Sequence, residues 1–337
     1  MAAELSAKAR AWSIFDRIVA RAAPDGNHTN PWRKNPDGAL RFEPDFNVLA
    51  QLLGVPLHLK AGTQSGVPAL ALDVWLSYEL RRAGFDADQT WPRPKHPRIL
   101  PAPIAKLLKS LPAALAASLK ERIEQSGSIS GVTSSSASIL GKNYLKQVDV
   151  IITDGVTGPE LLISTKRMDS SYGKNAPNRV EESYGDAKNL RLRHPLAALG
   201  FVFGLRSDIL VKEAATAEWL FDLLVKLGLE DDAYHATCLV LMEYADNVAV
   251  ADNGEEPPTT IVLEPGPEPE DGAAPVPVDD VEHVIANLPK VRILIDQTPA
   301  QLTPGRFLAA MVARTIAATP VTMHREARIR RAEAVSE

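Results

Sequence analysis

Apolar residues recur at helical spacing in three segments near the start of the chain. The first predicts a helix over about residues 5–22, and "DFNVLAQLLG" predicts a shorter one after a loop rich in Pro, Asn and Gly. The third, "VPALALDVWLSYELRRAGF", is the strongest, because Pro68 suits a first helical turn and Gly84 suits the position after a helix end. The chain therefore begins with a helical region.

The next stretch changes from proline-rich to serine-rich composition. The segment "QTWPRPKHPRILPAP" predicts a rigid connector, and "IAKLLKSLPAALAASLKERIEQ" predicts a helix interrupted near Pro112. "SGSISGVTSSSASILGKN" has the Ser/Gly composition of a mobile loop. These segments separate the N-terminal helices from the first predicted strands.

Two β-branched segments flank a turn signal and predict a hairpin. "YLKQVDVIIT" is the first strand, "DGVTGP" is the turn and "ELLISTKRM" is the second strand. A polar loop, "DSSYGKNAPN", then leads into a helix through "RVEESYGDAKNLRLR", with Pro177 near its start.

Strands and helices alternate through most of the remaining sequence. Strands are predicted at "GFVFGLRSDILV", "HATCLVLMEYA" and "KVRILIDQ", and helices at "TAEWLFDLLVKLGL" and "TPGRFLAAMVARTIAA". This order predicts an α/β fold with a mixed central sheet flanked by helices and a helical N-terminal region. The expected organisation is a helical region at 1–64, a core at 65–251, an acidic Pro-rich loop at 252–282, and a C-terminal strand, helix and basic tail at 283–337 that packs on the core.

Charge is unevenly distributed along the chain. Residues 252–289 contain ten acidic residues and no Lys or Arg, so the rest of the chain carries +5 although the total is −5. Residues 92–122 contain seven Lys or Arg against one acid, and the tail "HREARIRR" adds four arginines. Such clusters are typical either of a nucleic-acid surface or of the solvated faces of ordinary helices. If the chain binds DNA, the acidic segment is expected to lie away from it and the basic segments to line it.

Composition excludes several kinds of site. The single cysteine, Cys238, excludes an internal disulfide and a thiolate zinc cage, and no run of 18 apolar residues predicts a membrane span. The seven histidines show no pair at metal-ligand spacing, and no P-loop, dinucleotide fingerprint or Gly-x-Ser-x-Gly motif is present. We expect a cytoplasmic protein.

The hairpin carries one acid and one lysine in otherwise apolar strands. Folding it about residues 156 and 157 places Asp149 opposite Ser164, with Lys166 one pleat further on the same face. A buried charge costs several kcal/mol unless it is paired or bound. The pair is therefore either a structural ion pair or a site where a cation-binding carboxylate lies beside a lysine, as phosphodiester hydrolysis requires.

This arrangement resembles the PD-(D/E)XK nuclease superfamily, and within it the type II restriction endonucleases, over roughly residues 65–210. The family places an Asp on one strand and (Asp/Glu)-x-Lys on the next, which correspond here to Asp149 and Ser164-Thr165-Lys166. Ser164 replaces the middle acid. The resemblance implies a catalytic Lys166 and a Mg²⁺ ion bound by Asp149.

Some members with Ser-x-Lys take the missing carboxylate from the following helix. Here that helix offers Glu181 and Glu182, of which Glu182 is the stronger candidate for catalysis and metal binding. A Glu on the helix before the sheet corresponds to Glu79, which the resemblance also makes a catalytic candidate. Glu160 lies on the predicted Lys166 face but beside the turn, so it ranks below Glu182.

The resemblance implies a Mg²⁺-dependent endonuclease that cuts duplex DNA, as a restriction enzyme does in defence against foreign DNA. Two-strand cleavage with one site per chain implies a homodimer. The candidate DNA-binding residues are Arg167, Lys174, Arg179, Lys188, Arg191 and Arg193. The alternatives are a DNA-binding or assembly subunit that has lost catalysis, as Ser164 allows, and a plain α/β interaction protein.

Overall fold

A computed structural model describes residues 6–125, 137–249, 260–261 and 280–336. The helices in these ranges are α1 (Ala7–Ala22), α2 (Phe46–His58), α3 (Val67–Arg82), α4 (Ala102–Ser110), α5 (Ala113–Gln125), α6 (Tyr172–Arg191), α7 (Ile209–Lys212), α8 (Ala214–Leu227), α9 (Val281–Ala286), α10 (Pro304–Ala318) and α11 (Arg325–Ala332). The strands are β1 (Trp32–Lys34), β2 (Leu40–Phe42), β3 (Thr90–Trp91), β4 (Ala137–Leu140), β5 (Leu145–Val148), β6 (Val150–Asp154), β7 (Gly158–Met168), β8 (Ala198–Arg206), β9 (Ala236–Glu243), β10 (Thr260–Ile261), β11 (Arg292–Ile293) and β12 (Val335–Ser336).

The central sheet has six strands in the order β11-β9-β8-β7-β6-β3. Strands β6 and β7 form the antiparallel hairpin, whereas β7, β8 and β9 are parallel neighbours. Parallel neighbours require crossover connections, and α6 and the α7–α8 pair provide them. The predicted mixed α/β class is confirmed.

The two faces of the sheet pack against different helices because side chains alternate along each strand. Leu161 and Ile163 of β7 belong to a core with α1, α2, α3 and α10. Leu162 belongs to a second core with α6 and α8. Ser164 and Lys166 therefore lie on the α6 side of the sheet, and Thr165 and Arg167 lie on the α3 side.

The predicted first strand of the hairpin is interrupted at Asp149. Strand β6 continues in the central sheet, whereas β5 pairs with β4 and β10 in a separate three-stranded sheet. Residues 137–140, predicted to be part of a loop, form β4, which pairs antiparallel with β5. The prediction of one uninterrupted strand is wrong, because alternation alone does not report which neighbour each half of a strand finds.

Other boundaries also differ from the prediction. Helix α6 begins at Tyr172, so most of the predicted polar loop before Arg179 is helical and Pro177 lies inside the helix. The proline-rich connector contains β3, which pairs with β6, and the loop after α1 contains the β1–β2 pair. Helices α1 and α2 bury their apolar faces in the same core as the sheet.

The described helices include none that is both long and apolar enough to cross a membrane.

Most of the acidic 252–282 segment, whose expected position is away from the site, lies outside the described residues. Near its end, Glu282 forms ion pairs with Arg17 and, at 3.3 Å, with Arg21 of α1.

Candidate functional site

The β6–β7 hairpin brings Asp149 to the predicted position opposite Ser164. Val150 pairs with Ile163 in the antiparallel register, so the preceding residue, Asp149, faces Ser164. The Asp149 carboxylate accepts a hydrogen bond of 2.8 Å from the backbone N–H of Thr165. The register predicted from the sequence is confirmed, and Asp149 is anchored to the strand that carries the lysine.

Helix α6 adds Glu182 beside Lys166. One Glu182 oxygen lies 3.6 Å from the Lys166 ammonium, whose side chain is only 6% exposed. The same carboxylate lies 3.8 Å from the Arg179 guanidinium and 3.9 Å from the Lys146 ammonium. Glu182, the carboxylate preferred from the sequence, thus lies among three cations, whereas its neighbour Glu181 is exposed.

Lys146 and Asp186 complete the cluster, and the sequence analysis missed both. Lys146 is 2% exposed and pairs with Asp186, which lies one helical turn after Glu182. Tyr144 donates a hydrogen bond of 3.1 Å to Asp186, and its burial together with that carboxylate raises the Tyr144 pKa to about 12. The available signals were a lysine within an alternating strand and two acids four residues apart on one helix.

Ser164 lies near the hydroxyl of Tyr234, a third residue that the sequence analysis missed. Tyr234 is buried, stacks on Phe201 with ring centroids 5.2 Å apart, and donates 2.8 Å to the carbonyl of Ser183. Burial first, and then the nearby carboxylate of Asp186, raise the Tyr234 pKa well above its usual value, and the neighbouring Ser164 opposes that rise. Position 164, which is 7% exposed, therefore lies beside a buried tyrosine.

Tyr234 also lies near both candidate metal ligands, Asp149 and Glu182. The carboxylates of Asp149 and Glu182 both lie near enough to its hydroxyl to raise its pKa electrostatically. Asp149, Ser164, Lys166 and Glu182 therefore lie near one another on the α6 side of the sheet.

Glu79 lies elsewhere. It is fully buried on α3, where it pairs with Arg82 at 2.7 Å and accepts a hydrogen bond of 2.7 Å from the backbone N–H of Asp45. Because α3 packs on the opposite side of the sheet from α6, Glu79 does not join the Lys166 cluster. Asp73, which lies earlier on α3, contacts β7 instead: its carboxylate accepts a hydrogen bond of 2.6 Å from the Thr165 hydroxyl.

Glu160 does not share the Lys166 side, contrary to the prediction. A register shift pairs Thr153 with Pro159 and Ile152 with Leu161, which leaves Glu160 as an extra, bulged residue. Its carboxylate lies 2.7 Å from the His324 ring, and that ring packs on Phe85 of the α3-side core.

The predicted DNA-binding residues fall into two groups. Arg167 is buried and pairs with Asp169 at 2.9 Å, and Arg191 contacts the carbonyl of Ala233 and the ring of His235, so both act within the fold. The remaining four lie along α6 or just beyond it: Arg179 beside Glu182, Lys188 in an exposed pair with Asp232, and Lys174 and Arg193 exposed.

The other basic clusters are also largely engaged by acids or carbonyls. Lys106 pairs with Asp154 at the hairpin turn, at the far end of β6 from Asp149. Arg98 pairs with Asp16, and Arg328 of the C-terminal tail donates to backbone carbonyls including that of Ile316. These pairings do not favour the expectation that the basic segments line a channel at the Asp149–Lys166 end.

Asp149 and Glu182 are the two carboxylates of the cluster considered for a cation, since Asp186 is paired with Lys146. Among the described residues, no three His, Cys, Asp or Glu side chains come together as a metal-binding group. Mg²⁺ characteristically keeps several waters and needs only one or two carboxylates, so a third acid is not required for a Mg²⁺ site that uses Asp149 and Glu182. Lys166 and Lys146 would supply positive charge to a bound phosphate at the same place.

Comparison with protein family models, with curated proteins and with solved structures finds no match to this chain.

Proposed function

We propose that the chain is a Mg²⁺-dependent endonuclease that hydrolyses phosphodiester bonds of duplex DNA at the Asp149–Lys166–Glu182 cluster. The observation that carries the proposal is the position of Glu182, 3.6 Å from Lys166 on the helix that follows the hairpin. A carboxylate from that helix is what the resemblance requires once Ser164 replaces the middle acid.

Asp149 and Glu182 would hold the metal in this proposal. Mg²⁺, when bound, neutralises phosphate charge and lowers the pKa of a coordinated water. Asp149 is suited to the role because its hydrogen bond from Thr165 fixes the carboxylate at the strand break. Ser164 would not replace the missing acid, because a neutral hydroxyl does not offset the charge of the cation as a carboxylate does.

Lys166 would stabilise the negative charge that develops on the phosphate. Its ammonium is nearly buried, and a charge interaction is stronger there than in bulk water. Lys146 would hold the second carboxylate in place, since it contacts both Glu182 and Asp186. Lys146 is therefore a positioning residue in this mechanism.

DNA would approach along the exposed side of α6. Lys174, Lys188 and Arg193 are the predicted contacts that are exposed there, of which Lys188 is paired with Asp232. Phosphate contacts of this kind carry no sequence information by themselves. Their removal would weaken binding at every sequence and reduce its salt dependence.

Cleavage of supercoiled plasmid with Mg²⁺ tests the proposal. We expect the wild type to nick or linearise the plasmid, and Lys166→Met and Asp149→Asn to lose cleavage while remaining folded by circular dichroism. Lys226→Met, which changes an exposed lysine of α8 paired with Asp222, is the matched control and should cut normally. Chelation of the metal should abolish cleavage by the wild type.

Two outcomes would overturn the proposal. One is cleavage by Lys166→Met at the wild-type rate. The other is a folded wild type that binds plasmid without cutting it, which would favour a DNA-binding or assembly subunit with a structural ion cluster. The specific observation behind that second candidate is that Ser164, at the family's acidic position, is only 7% exposed and lies beside the buried Tyr234.

A further inference from the structure

A cavity of about 770 Å³ lies on the α3 side of the molecule, away from the Lys166 cluster. Helix α1, the end of α3, residues 93–95 and the start of α11 form its walls. Its volume is in the range of sites that bind small molecules.

Arg81 lines this cavity with unused hydrogen-bonding capacity. The residue is 3% exposed, and its Nη1 donates 3.1 Å to the carbonyl of Pro92. Its Nε is buried and meets no acceptor among the described residues, and the same holds for Nδ1 of His28 in the same wall. Buried polar groups in native proteins are nearly always satisfied, so two orphaned nitrogens in one wall call for an explanation.

Among the described residues, no carboxylate forms an ion pair with Arg81 alone. Arg98 lies close enough to oppose its charge, and the acid that favours the Arg81 charge, Asp16, is bound by Arg98 at 2.8 Å and 2.7 Å. Burial and the neighbouring Arg98 lower the pKa of Arg81 to about 9. Two guanidinium groups thus share one carboxylate at the base of the cavity.

Two other acids of the cavity are engaged by cations. Asp88 pairs with Arg93 at 2.6 Å and with Lys109 at 2.8 Å, and Glu326 pairs with Arg330 at 2.7 Å. Asp25 and Asp86 also line the cavity, and both are exposed to solvent. Among the described residues, none of these four acids forms an ion pair with Arg81.

We propose that this cavity binds a small molecule through a single carboxylate or phosphate group, with Arg81 as its charged partner and His28 as a second hydrogen-bonding partner. An arginine fork matches both oxyanions, and an anion that reaches the buried guanidinium through a shift of the surrounding side chains would satisfy it and balance the charge of the Arg81–Arg98 pair. Phe85, in the same wall, offers an apolar surface for the rest of the molecule. This ligand is separate from the DNA of the proposed function.

Thermal unfolding of the full chain with inorganic phosphate, with benzoate and with chloride at matched ionic strength tests this inference. A ligand that binds only the folded state raises the melting temperature. We expect a concentration-dependent rise with at least one of the two oxyanions and none with chloride. The probe that acts identifies the phosphate or the carboxylate as the recognised group.

Arg81→Met keeps the side-chain stem and removes the guanidinium. We expect this variant to match or exceed the wild-type melting temperature in anion-free buffer, because an unbalanced buried charge is gone, and to lose the ligand-dependent rise. Arg10→Met, which changes an exposed arginine of α1 that does not line the cavity, should keep the full rise. His28→Phe should reduce the rise while leaving the Arg81 charge in place.

A wild type whose melting temperature responds to neither oxyanion would overturn the inference. So would Arg81→Met with the full rise. If Arg81→Met fails to fold, His28→Phe decides: a reduced rise supports the site, and an unchanged rise refutes it.

Discussion

Replacing Glu182 with Gln should destabilise the protein by about 2 kcal/mol, because it removes the carboxylate that three cations share. Glu182 lies 3.6 Å from Lys166, 3.8 Å from Arg179 and 3.9 Å from Lys146. Gln preserves the size and shape of the side chain but replaces one acceptor oxygen with an NH₂ donor, so the change removes the charge and one acceptor without leaving a cavity.

The magnitude follows from distance and exposure. At an effective dielectric constant of about 20, a unit-charge pair at 3.6 Å has a gross attraction of about 4–5 kcal/mol. Solvent reduces this value because the Glu182 side chain is 32% exposed, and Lys146 retains Asp186. The net loss should lie between the roughly 0–1 kcal/mol of surface pairs and the 3–5 kcal/mol of fully buried ones, which gives about 1–3 kcal/mol.

Urea denaturation followed by far-ultraviolet circular dichroism measures the effect as a lower midpoint with an unchanged slope. Glu181→Gln is the matched control, since that neighbour is exposed, and it should stay within about 0.5 kcal/mol of the wild type. A double-mutant cycle with Lys166→Met should give a coupling energy of about 1–2 kcal/mol. Equal stabilities of the two Gln variants, or a coupling energy near zero, would refute the shared-carboxylate arrangement.

Three further outcomes test other parts of the structure. The Glu79 carboxyl should titrate near 7 by carbon-13 NMR, because burial raises its pKa to about 7, and titration near 4 would contradict this. As the pH rises, the unfolded state loses this proton before the folded state does. The stabilising effect of this group is therefore complete below about pH 4.5 and is lost as the pH rises through 7. Gly84→Ala should lower the free energy of unfolding by about 2–4 kcal/mol in urea denaturation, since φ is +102° and a Cβ would lie 2.7 Å from the backbone nitrogen of Ala327. The control Gly26→Ala, with φ +75° and open space around the Cβ, should lower it by roughly 1 kcal/mol. Equal losses would argue against the close contact between Gly84 and α11. Tyr234→Phe should lower the free energy of unfolding by about 1–3 kcal/mol because it removes the buried hydrogen bond to the carbonyl of Ser183, and an unchanged midpoint would show that this hydrogen bond adds no net stability.

Sequence patterns predicted the elements whose partners lie nearby in the chain. The hairpin and its register followed from a turn signal between two β-branched segments, and the observed pairing of Val150 with Ile163 matches it. The helix over α3 was marked at both ends by Pro68 and Gly84. Glu182 was preferred from its place on the helix after the hairpin, and it lies beside Lys166.

Contacts between distant segments were not available from the pattern. Lys146 reaches the cluster because β5 is not part of the central sheet, and Tyr234 reaches it because it lies just before β9. Neither position can be recognised from the local periodicity of the sequence. The side of the sheet on which a carboxylate lies is likewise a property of packing. Glu79 is on a helix of the predicted kind, yet that helix packs on the opposite side from α6.

The sequence by itself determined the α/β class, the hairpin and the candidate pair Asp149 and Lys166, because alternation and turn chemistry act over a few residues. Only the tertiary structure decided which charges are shared. Arg167 and Arg191 are engaged within the fold, and Glu160 contacts His324 at a bulge. Arg81 lines a cavity, and its Nε has no hydrogen-bond partner among the described residues. The physical reason is that burial and pairing set the free energy of a charge, and both depend on neighbours that the chain brings together only when it folds.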